Sequence, residues 1–152
     1  MSALDAAQAA LAAEHAAVYG YGVVGGRVRA GRRDEAREAY AAHRSRRDGL
    51  VRTVRDLGGT PVVADAAYAL PFAVTGSDAA VRLAAVLEDR VADVYSDLVR
   101  AAEGPLRREA AGALRESAVR AVRWRGGGSV AFPGLVERTV TTKTADEGTP
   151  QV

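Results

Sequence analysis

Apolar residues recur every three or four positions in four stretches of the chain, and this spacing predicts four amphipathic helices and no sheet. The predicted helices begin at Ser2, Asp34, Ser77 and Pro105. Ser2 and Asp5 have the spacing of a helix capping pair, and proline suits the first turn of a helix. Glycines at residues 58–59 and 126–128 mark the ends of the second and fourth helices. The pattern therefore indicates an all-α fold.

The connections between these helices predict how they are arranged. Short connections make helices one and two, and likewise helices three and four, antiparallel hairpins. Residues 58–76 form the longest non-periodic stretch between helices and can extend about 60 Å at roughly 3.3 Å per residue. A 25-residue helix is only about 37 Å long, so this loop can cross the bundle from end to end. One long crossover between helices two and three is the arrangement of ferritin-like four-helix bundles.

The helical pattern also predicts the extent of the domain. We expect a single domain over residues 1–137 and a mobile polar tail over residues 138–152. No internal repeat is evident. Four glycines in the second half of helix one have two interpretations: they allow the close approach of a neighbouring helix or subunit, or they mark a kink or an early end. These glycines are Gly20, Gly22, Gly25 and Gly26.

Composition limits the location of the protein and its partners. The chain has no cysteine, which excludes disulfides and thiolate metal sites. No signal peptide and no apolar stretch of about 18 residues is visible, so we expect a soluble, cytoplasmic protein that does not bind or span a membrane. Of the 21 basic residues only Lys143 is a lysine, but acids alternate with the arginines and the net charge is only +2. A nucleic-acid binder concentrates its basic residues, so we predict no nucleic-acid partner.

Charged or titratable side chains interrupt the apolar stripes near mid-bundle. At about 100° per residue, His43 and Arg47 each lie within roughly 20° of the centre of their stripe, and Glu14 lies within roughly 30°. In an antiparallel hairpin closed near residue 31, Glu14 comes level with Arg47 or Asp48. If helix three runs parallel to helix two, His43 comes level with Glu88. The predicted polar cluster comprises Glu14, His43, Arg47 and Glu88, with Tyr21 and Tyr40 about a turn away.

This predicted cluster has two interpretations. One is a metal or small-anion site. The other is an internal ion pair that fixes helix register, because a buried unpaired charge is very costly and must meet a partner. We favour the ion pair and expect Glu14 and Arg47 to be mutually dependent. His15 lies at the edge of its stripe and is expected to be a partly exposed helix residue.

Several short segments carry a resemblance to a known family. They are residues 13–22 (AEHAAVYGYG), the pattern HRxRRDxL at 43–50, Gly59-x-Pro61, AYxLP at 67–71, Leu87-Glu88, and Trp124 with Phe132-Pro133-Gly134. On these segments the chain resembles the bacterial ferritin-like domains of unknown function, over roughly residues 4–135. The resemblance implies a ferritin-like bundle and no particular activity.

A ferritin-like di-iron site takes one glutamate from each of two helices and a Glu-x-x-His pair from each of the other two. Against this pattern Glu14 and Glu88 match the single glutamates. Helix two keeps His43 but has Tyr40 in place of the acid. Helix four has only Glu116, about 110° off its stripe, and Val119 where the histidine belongs. We therefore expect a degenerate site with no di-iron centre and no cofactor.

The function expected from the sequence is a non-enzymatic helical module. Two alternatives use the mid-bundle cluster: a small-molecule site in which Arg47 and His43 bind an anion beneath the long loop, and a mononuclear metal enzyme using Glu14, His43 and Glu88. We also expect a homodimer, since Val24, Val28, the small residues of helix one and the apolar segment around Phe132 provide more apolar surface than the four stripes can bury within one chain.

Overall fold

A computed structural model of the protein describes residues 1–127 and contains the four predicted helices. They are α1 (Ala3–Arg27), α2 (Arg33–Asp56), α3 (Ser77–Ala101) and α4 (Gly104–Arg125), with a short 3-10 turn at Ala30–Arg32 before α2. No strand occurs within residues 1–127. The expected tail at 138–152, the domain boundary at 137 and the apolar segment around Phe132 lie outside the described residues. The all-α four-helix fold is confirmed.

The ends of the helices follow from local chemistry. At the start of α1 the Ser2 hydroxyl accepts from the Asp5 amide while the Asp5 carboxylate accepts from the Ser2 amide, as the capping pair predicts. Gly58 and Gly126 have positive φ values of 82° and 76° and end α2 and α4. Asp34, expected to cap α2, instead lies inside its first turn and pairs with Arg37.

The glycines of α1 do not end the helix early, because α1 continues to Arg27. A Cβ atom at Gly20 would lie 2.5 Å from Cδ1 of Leu87, so this glycine lets α3 approach closely. A Cβ atom at Gly22, Gly25 or Gly26 would meet nothing within 4 Å. The close approach of a neighbouring helix is therefore confirmed at Gly20.

Close backbone approaches link the helices in the order α2, α1, α3, α4, and side chains of α2 and α4 meet on the remaining side, where Arg46 pairs with Glu116. Close backbone approaches join α1 to α2, α1 to α3 and α3 to α4, whereas none joins α2 to α4 within residues 1–127. One core cluster joins the beginning of α1 to the end of α2, the end of α3 and the beginning of α4, and the second core cluster joins the opposite ends. Hence α1 is antiparallel to α2 and α3, α3 is antiparallel to α4, and one long crossover joins α2 to α3.

Two polar side chains of α1 fasten the crossover to the bundle. Gln8 donates to the Thr60 carbonyl at 2.6 Å and accepts from the Val62 amide at 2.9 Å. The half-buried His15 lies 3.1 Å from the Val62 carbonyl through Nε2. His15 is thus a partly exposed helix residue, as expected, and its ring anchors the loop.

The two helical hairpins of the bundle are related by an internal repeat that the sequence pattern did not reveal. The helices α1 and α3 are both 25 residues long and begin 74 residues apart. The same offset gives six pairs in which both members are the same residue type and both are buried: Ala6 with Ala80, Ala10 with Ala84, Glu14 with Glu88, Tyr21 with Tyr95, Ala36 with Ala110, and Ala39 with Ala113. Four of these pairs are alanines in an alanine-rich chain, which explains why the repeat escapes notice in the sequence.

One feature of the bundle surface is a groove between α2 and α4. Where the end of α2 faces the beginning of α4, an open groove of about 500 Å³ has Leu50, Tyr95 and Leu98 among its lining residues.

Val24 and Val28 lie in the core at 0% and 3% exposure and so provide no surface for the expected self-association. Within residues 1–127, no helix combines the length and apolar character needed to cross a membrane.

Candidate functional site: a buried histidine between two glutamates

The helices α1 and α3 each carry a glutamate and, seven residues later, a tyrosine. Seven residues make about two helical turns, so both side chains of a helix lie on one face. The Tyr21 hydroxyl donates to Glu88 Oε1 at 2.6 Å, and the Tyr95 hydroxyl donates to Glu14 Oε1 at 2.8 Å. All four residues are buried. The antiparallel helices thus exchange two equivalent hydrogen bonds.

His43 of α2 lies between the two carboxylates. Its Nδ1 is 2.6 Å from Glu14 Oε2 and its Nε2 is 3.1 Å from Glu88 Oε1, while its ring stacks on Tyr21 with centroids 5.2 Å apart. Burial by itself would lower the pKa of His43, but the hydrogen bonds and charges of the two glutamates outweigh it and raise the pKa to about 9. At neutral pH the ring is therefore an imidazolium that donates from both nitrogens.

The fourth helix completes the cluster with an arginine and an indole. Trp124 donates from Nε1 to the Tyr21 hydroxyl at 2.8 Å, and Nη1 of Arg120 lies 4.0 Å from Glu88 Oε2. Arg120 also approaches Glu116, its side chain being 20% exposed. Two buried carboxylates thus face one imidazolium and one guanidinium, and this balance avoids the large cost of an uncompensated buried charge.

Three buried polar atoms near the cluster have no hydrogen-bond partner within the described residues. They are Glu88 Oε2, Ser117 Oγ and Arg120 Nη1. Ser117 is fully buried on the inner face of α4, and Arg120 follows it by about one helical turn. These three atoms belong to the half of the bundle formed by α3 and α4, whereas the polar atoms of Glu14 and His43 are all hydrogen-bonded.

The structure brings together four of the six predicted cluster residues and leaves out two. Glu14, His43, Glu88 and Tyr21 meet as described, with Glu14 paired to His43 rather than to Arg47. Arg47 instead pairs with its neighbour Asp48 at 2.7 Å and is 26% exposed. Tyr40 is half-buried beneath Arg44, whose guanidinium lies 5.7 Å from the centre of its ring.

Arg47 was misplaced because the inward direction of α2 was misjudged. The buried residues of α2 are Ala36, Ala39, His43, Leu50 and Val54. Their mean direction lies about 40° from Arg47 at 100° per residue. Counting Tyr40 rather than Ala39 among the inward positions of α2 rotates the centre of its predicted apolar stripe towards Arg47. The positive charge inside the cluster accordingly belongs to His43 and Arg120.

Sequence reasoning missed Tyr95, and it gave Ser117, Arg120 and Trp124 no role in the cluster. One signal for Tyr95 was present, since the Glu-x6-Tyr spacing of Glu14 and Tyr21 recurs at Glu88 and Tyr95. Ser117 and Trp124 both lie buried on the inner face of helix four. Arg120 had no such signal, because its position at the edge of a helix face is typical of solvated arginines.

The cluster has little capacity for a metal in this arrangement. Within residues 1–127, no three histidine, aspartate or glutamate side chains are grouped so that they could hold a metal ion. A histidine ligand must present an unprotonated nitrogen, whereas both nitrogens of His43 face carboxylate oxygens at hydrogen-bond distance. On α4, Glu116 is half exposed and bridges Arg46 and Arg120, and Val119 is 44% exposed.

Comparison with known proteins places this arrangement in a family. The structure is similar, with a TM-score of 0.78, to that of a conserved hypothetical protein, rv2844, from Mycobacterium tuberculosis. The two sequences are 39% identical over 82% of this chain and 96% of that chain. No curated protein matches the chain. The family profile that matches, over residues 6–137, is that of a domain of unknown function, and the chain belongs to this family, DUF4439.

Proposed function

We propose that the protein is a non-enzymatic, ferritin-like helical module in which a buried imidazolium occupies the place of a metal between two carboxylates. The observation that carries this proposal is the position of His43, with one ring nitrogen directed at each glutamate. Such a centre links α1, α2 and α3 without any exchangeable ligand. Its role is to fix the register of the bundle, which then acts through its surface as a structural or interaction module.

The comparison with a ferritin-like di-iron site supports this proposal. Such a site needs four carboxylates and two histidines, and its carboxylates offset the charge of two divalent cations. Among residues 1–127, Glu14 and Glu88 are the only buried carboxylates, and His43 and Arg120 already balance them. A dication placed about 5 Å from a guanidinium is opposed by roughly 3 kcal/mol per unit of charge at an effective dielectric constant of 20. Arginine cannot relieve this repulsion by losing its proton.

Two alternative functions depend on the same residues. An anion site formed by Arg47 and His43 has no support, because Arg47 pairs with Asp48 outside the cluster. A mononuclear metal site of Glu14, His43 and Glu88 would require the metal to break at least one hydrogen bond of the ring. That alternative is retained as an outcome of the experiment below.

The proposal is tested by iron binding. Ferrous iron is added anaerobically to the purified protein, oxygen is admitted, and absorbance and bound metal are both followed. We expect no stoichiometric binding and no ferroxidase turnover. About two irons bound per chain, with turnover, would overturn the proposal. One iron per chain, abolished by His43→Ala but not by Arg47→Met, would favour the mononuclear alternative.

Self-association is the second element of the proposed role. We expect a homodimer, as an interaction module would form, although Val24 and Val28 take no part in it. Sedimentation velocity at micromolar concentration measures this directly. Data that fit only a monomer would contradict the expectation and leave the proposal for the His43 centre untouched.

A further inference from the structure

The two halves of the bundle differ in how completely their polar atoms are satisfied. Both oxygens of Glu14 accept hydrogen bonds, one from His43 and one from Tyr95. In Glu88, by contrast, Oε1 accepts from Tyr21 and His43 while Oε2 accepts from no protein group within residues 1–127. Buried polar groups in native proteins nearly always have a partner, from the protein or from ordered water.

The internal repeat explains where the missing partner belongs. The 74-residue offset that relates Glu14 to Glu88 also relates His43 to Ser117. His43 Nδ1 meets Glu14 Oε2 in the first half, so the repeat assigns Ser117 the corresponding place beside Glu88 Oε2 in the second half. A serine side chain is much shorter than that of histidine, and its buried hydroxyl makes no hydrogen bond to Glu88. Arg46 and Arg120 are related by the same offset, and both contact Glu116.

We propose that Glu88 Oε2, Ser117 Oγ and Arg120 Nη1 together bind one water molecule as a fixed part of the structure. The carboxylate oxygen can only accept and the guanidinium can only donate, whereas the hydroxyl does either. The ligand must therefore both donate and accept hydrogen bonds. An anion is opposed by Glu88 and a cation by Arg120, which leaves a small neutral molecule.

The spacing of the two charged groups suits this ligand. Arg120 Nη1 and Glu88 Oε2 are 4.0 Å apart, too far for a direct hydrogen bond. A water oxygen about 2.8 Å from each atom would subtend roughly 90°, which a water accommodates. With the Ser117 hydroxyl the water has three partners, the usual number for a buried water.

The experiment detects the water directly in the intact chain. A crystal structure at about 1.5 Å resolution is expected to show one density peak within about 3.2 Å of all three atoms. In solution, selective irradiation of the water resonance should transfer magnetisation to the Ser117 and Arg120 protons, with the sign of a water bound for longer than a nanosecond. A direct hydrogen bond between Arg120 and Glu88, or the absence of a peak and of transfer, would overturn the proposal.

A variant sharpens the test through the repeat. Ser117→His places an imidazole opposite Glu88, as His43 stands opposite Glu14, and should abolish the transfer from water to Arg120. Ser117→Ala is the matched control, because it removes one partner and leaves two, so the transfer to Arg120 should persist at reduced intensity. Full transfer in a folded Ser117→His variant would show that the water does not lie beside Ser117. If that variant fails to fold, the wild-type measurement still decides.

Discussion

The hairpins α1–α2 and α3–α4 have matching buried residues but differ in the side chain that each places at the centre of the bundle. Both contribute a glutamate, a tyrosine two turns later, and buried alanines at matching positions. They differ where the second helix of each hairpin faces the centre: α2 supplies His43 and α4 supplies Ser117. The first half therefore provides the group that binds both carboxylates, and the second half provides small or edge-lying groups around it.

Charge balance explains why the two hairpins do not match at this position. Two buried glutamates need about two positive charges nearby, since an uncompensated buried charge is very costly. His43 and Arg120 supply them. A second imidazolium at position 117 would add a third positive charge to a balanced interior. The backbone repeat can thus stay symmetric while the buried charges cannot.

Removing His43 is expected to have the largest effect. His43→Ala leaves two buried carboxylates without their shared cation, and breaking a buried pair in this way costs about 3–5 kcal/mol. Ser117→Ala is the matched change in the other hairpin and should cost about 1 kcal/mol or less. Denaturant unfolding of both variants measures the difference. Equal losses would show that His43 is not the centre of the cluster.

The stability should also depend on pH through His43. Its pKa is raised to about 9 in the folded chain against about 6.5 when unfolded. The groups facing it are Glu14, Glu88 and Tyr21. The stabilisation is complete below pH 6.5, declines as the unfolded state loses its proton, and is lost above about pH 9. It amounts to about 3 kcal/mol.

Unfolding free energies between pH 6 and 9.5 test this dependence. Burial, and then the nearby glutamate, raises the pKa of Tyr21 and of Tyr95 above the usual 10, so their contribution is lost only at higher pH. His43→Ala should remove the decline between pH 6.5 and 9. A decline of the same size in that variant would assign the pH dependence to another group.

The exchanged tyrosine hydrogen bonds test whether the halves are energetically equivalent. Tyr21→Phe and Tyr95→Phe each remove one hydroxyl that donates to a buried carboxylate, so each should cost about 1.5–3 kcal/mol. Tyr21→Phe also removes the acceptor of Trp124 Nε1, so its cost should lie towards the upper end of this range. Tyr19→Phe, on a residue 38% exposed, is the control and should change little. Thermal or denaturant unfolding of the three variants gives the comparison. A gap of more than about 1.5 kcal/mol between the first two would show that the hairpins are unequal here.

Close packing of the first helix of each hairpin gives a smaller effect. Gly20 of α1 corresponds to Val94 of α3, and a methyl group at position 20 would collide with Leu87. Overpacking of this kind costs about 1–3 kcal/mol, so Gly20→Ala should destabilise. Gly25→Ala meets open space and should stabilise α1 by up to about 1 kcal/mol. Melting temperatures that move in the same direction for both would contradict this difference.

The smallest effect is expected at Arg47. It pairs with a neighbour that is 55% exposed, and such surface pairs contribute about 0–1 kcal/mol. Arg47→Met should therefore leave the denaturation midpoint nearly unchanged. A loss comparable to that of His43→Ala would return Arg47 to the cluster, as the sequence pattern had predicted.

The fold could be predicted from the sequence because helix ends and apolar spacing are local signals. Capping at Ser2, the glycines after α2 and α4, and the length of the 58–76 connection together determine four helices and one crossover. The predicted level was also right for His43 and Glu88, since rise per residue fixes height along a bundle. Glu14 was predicted level with Arg47 or Asp48 and instead meets His43, about one turn earlier on α2.

The rest of the cluster depends on rotation about the helix axis, which the sequence determines poorly. His43 and Arg47 lie only about 40° apart on the helical wheel, and counting Tyr40 rather than Ala39 among the inward positions placed Arg47 inside together with His43. A long arginine can also reach solvent from the edge of a buried face. Only the packed neighbours, above all the alanines of α1 and α2, settle that rotation.

The side of the bundle between α2 and α4, where side chains such as Arg46 and Glu116 meet but the backbones do not approach closely within residues 1–127, has a consequence for motion. Within residues 1–127, α2 approaches the backbone of α1 and the short turn before it, and of no other helix. Segments with few neighbours open before the whole protein unfolds. Outward movement of α2 would separate it from α1 and withdraw the imidazolium from both glutamates together. The carboxylates of Glu14 and Glu88 would then face each other without their shared cation. Because two uncompensated buried charges are costly, the contacts of His43 hold α2 against α1 and α3.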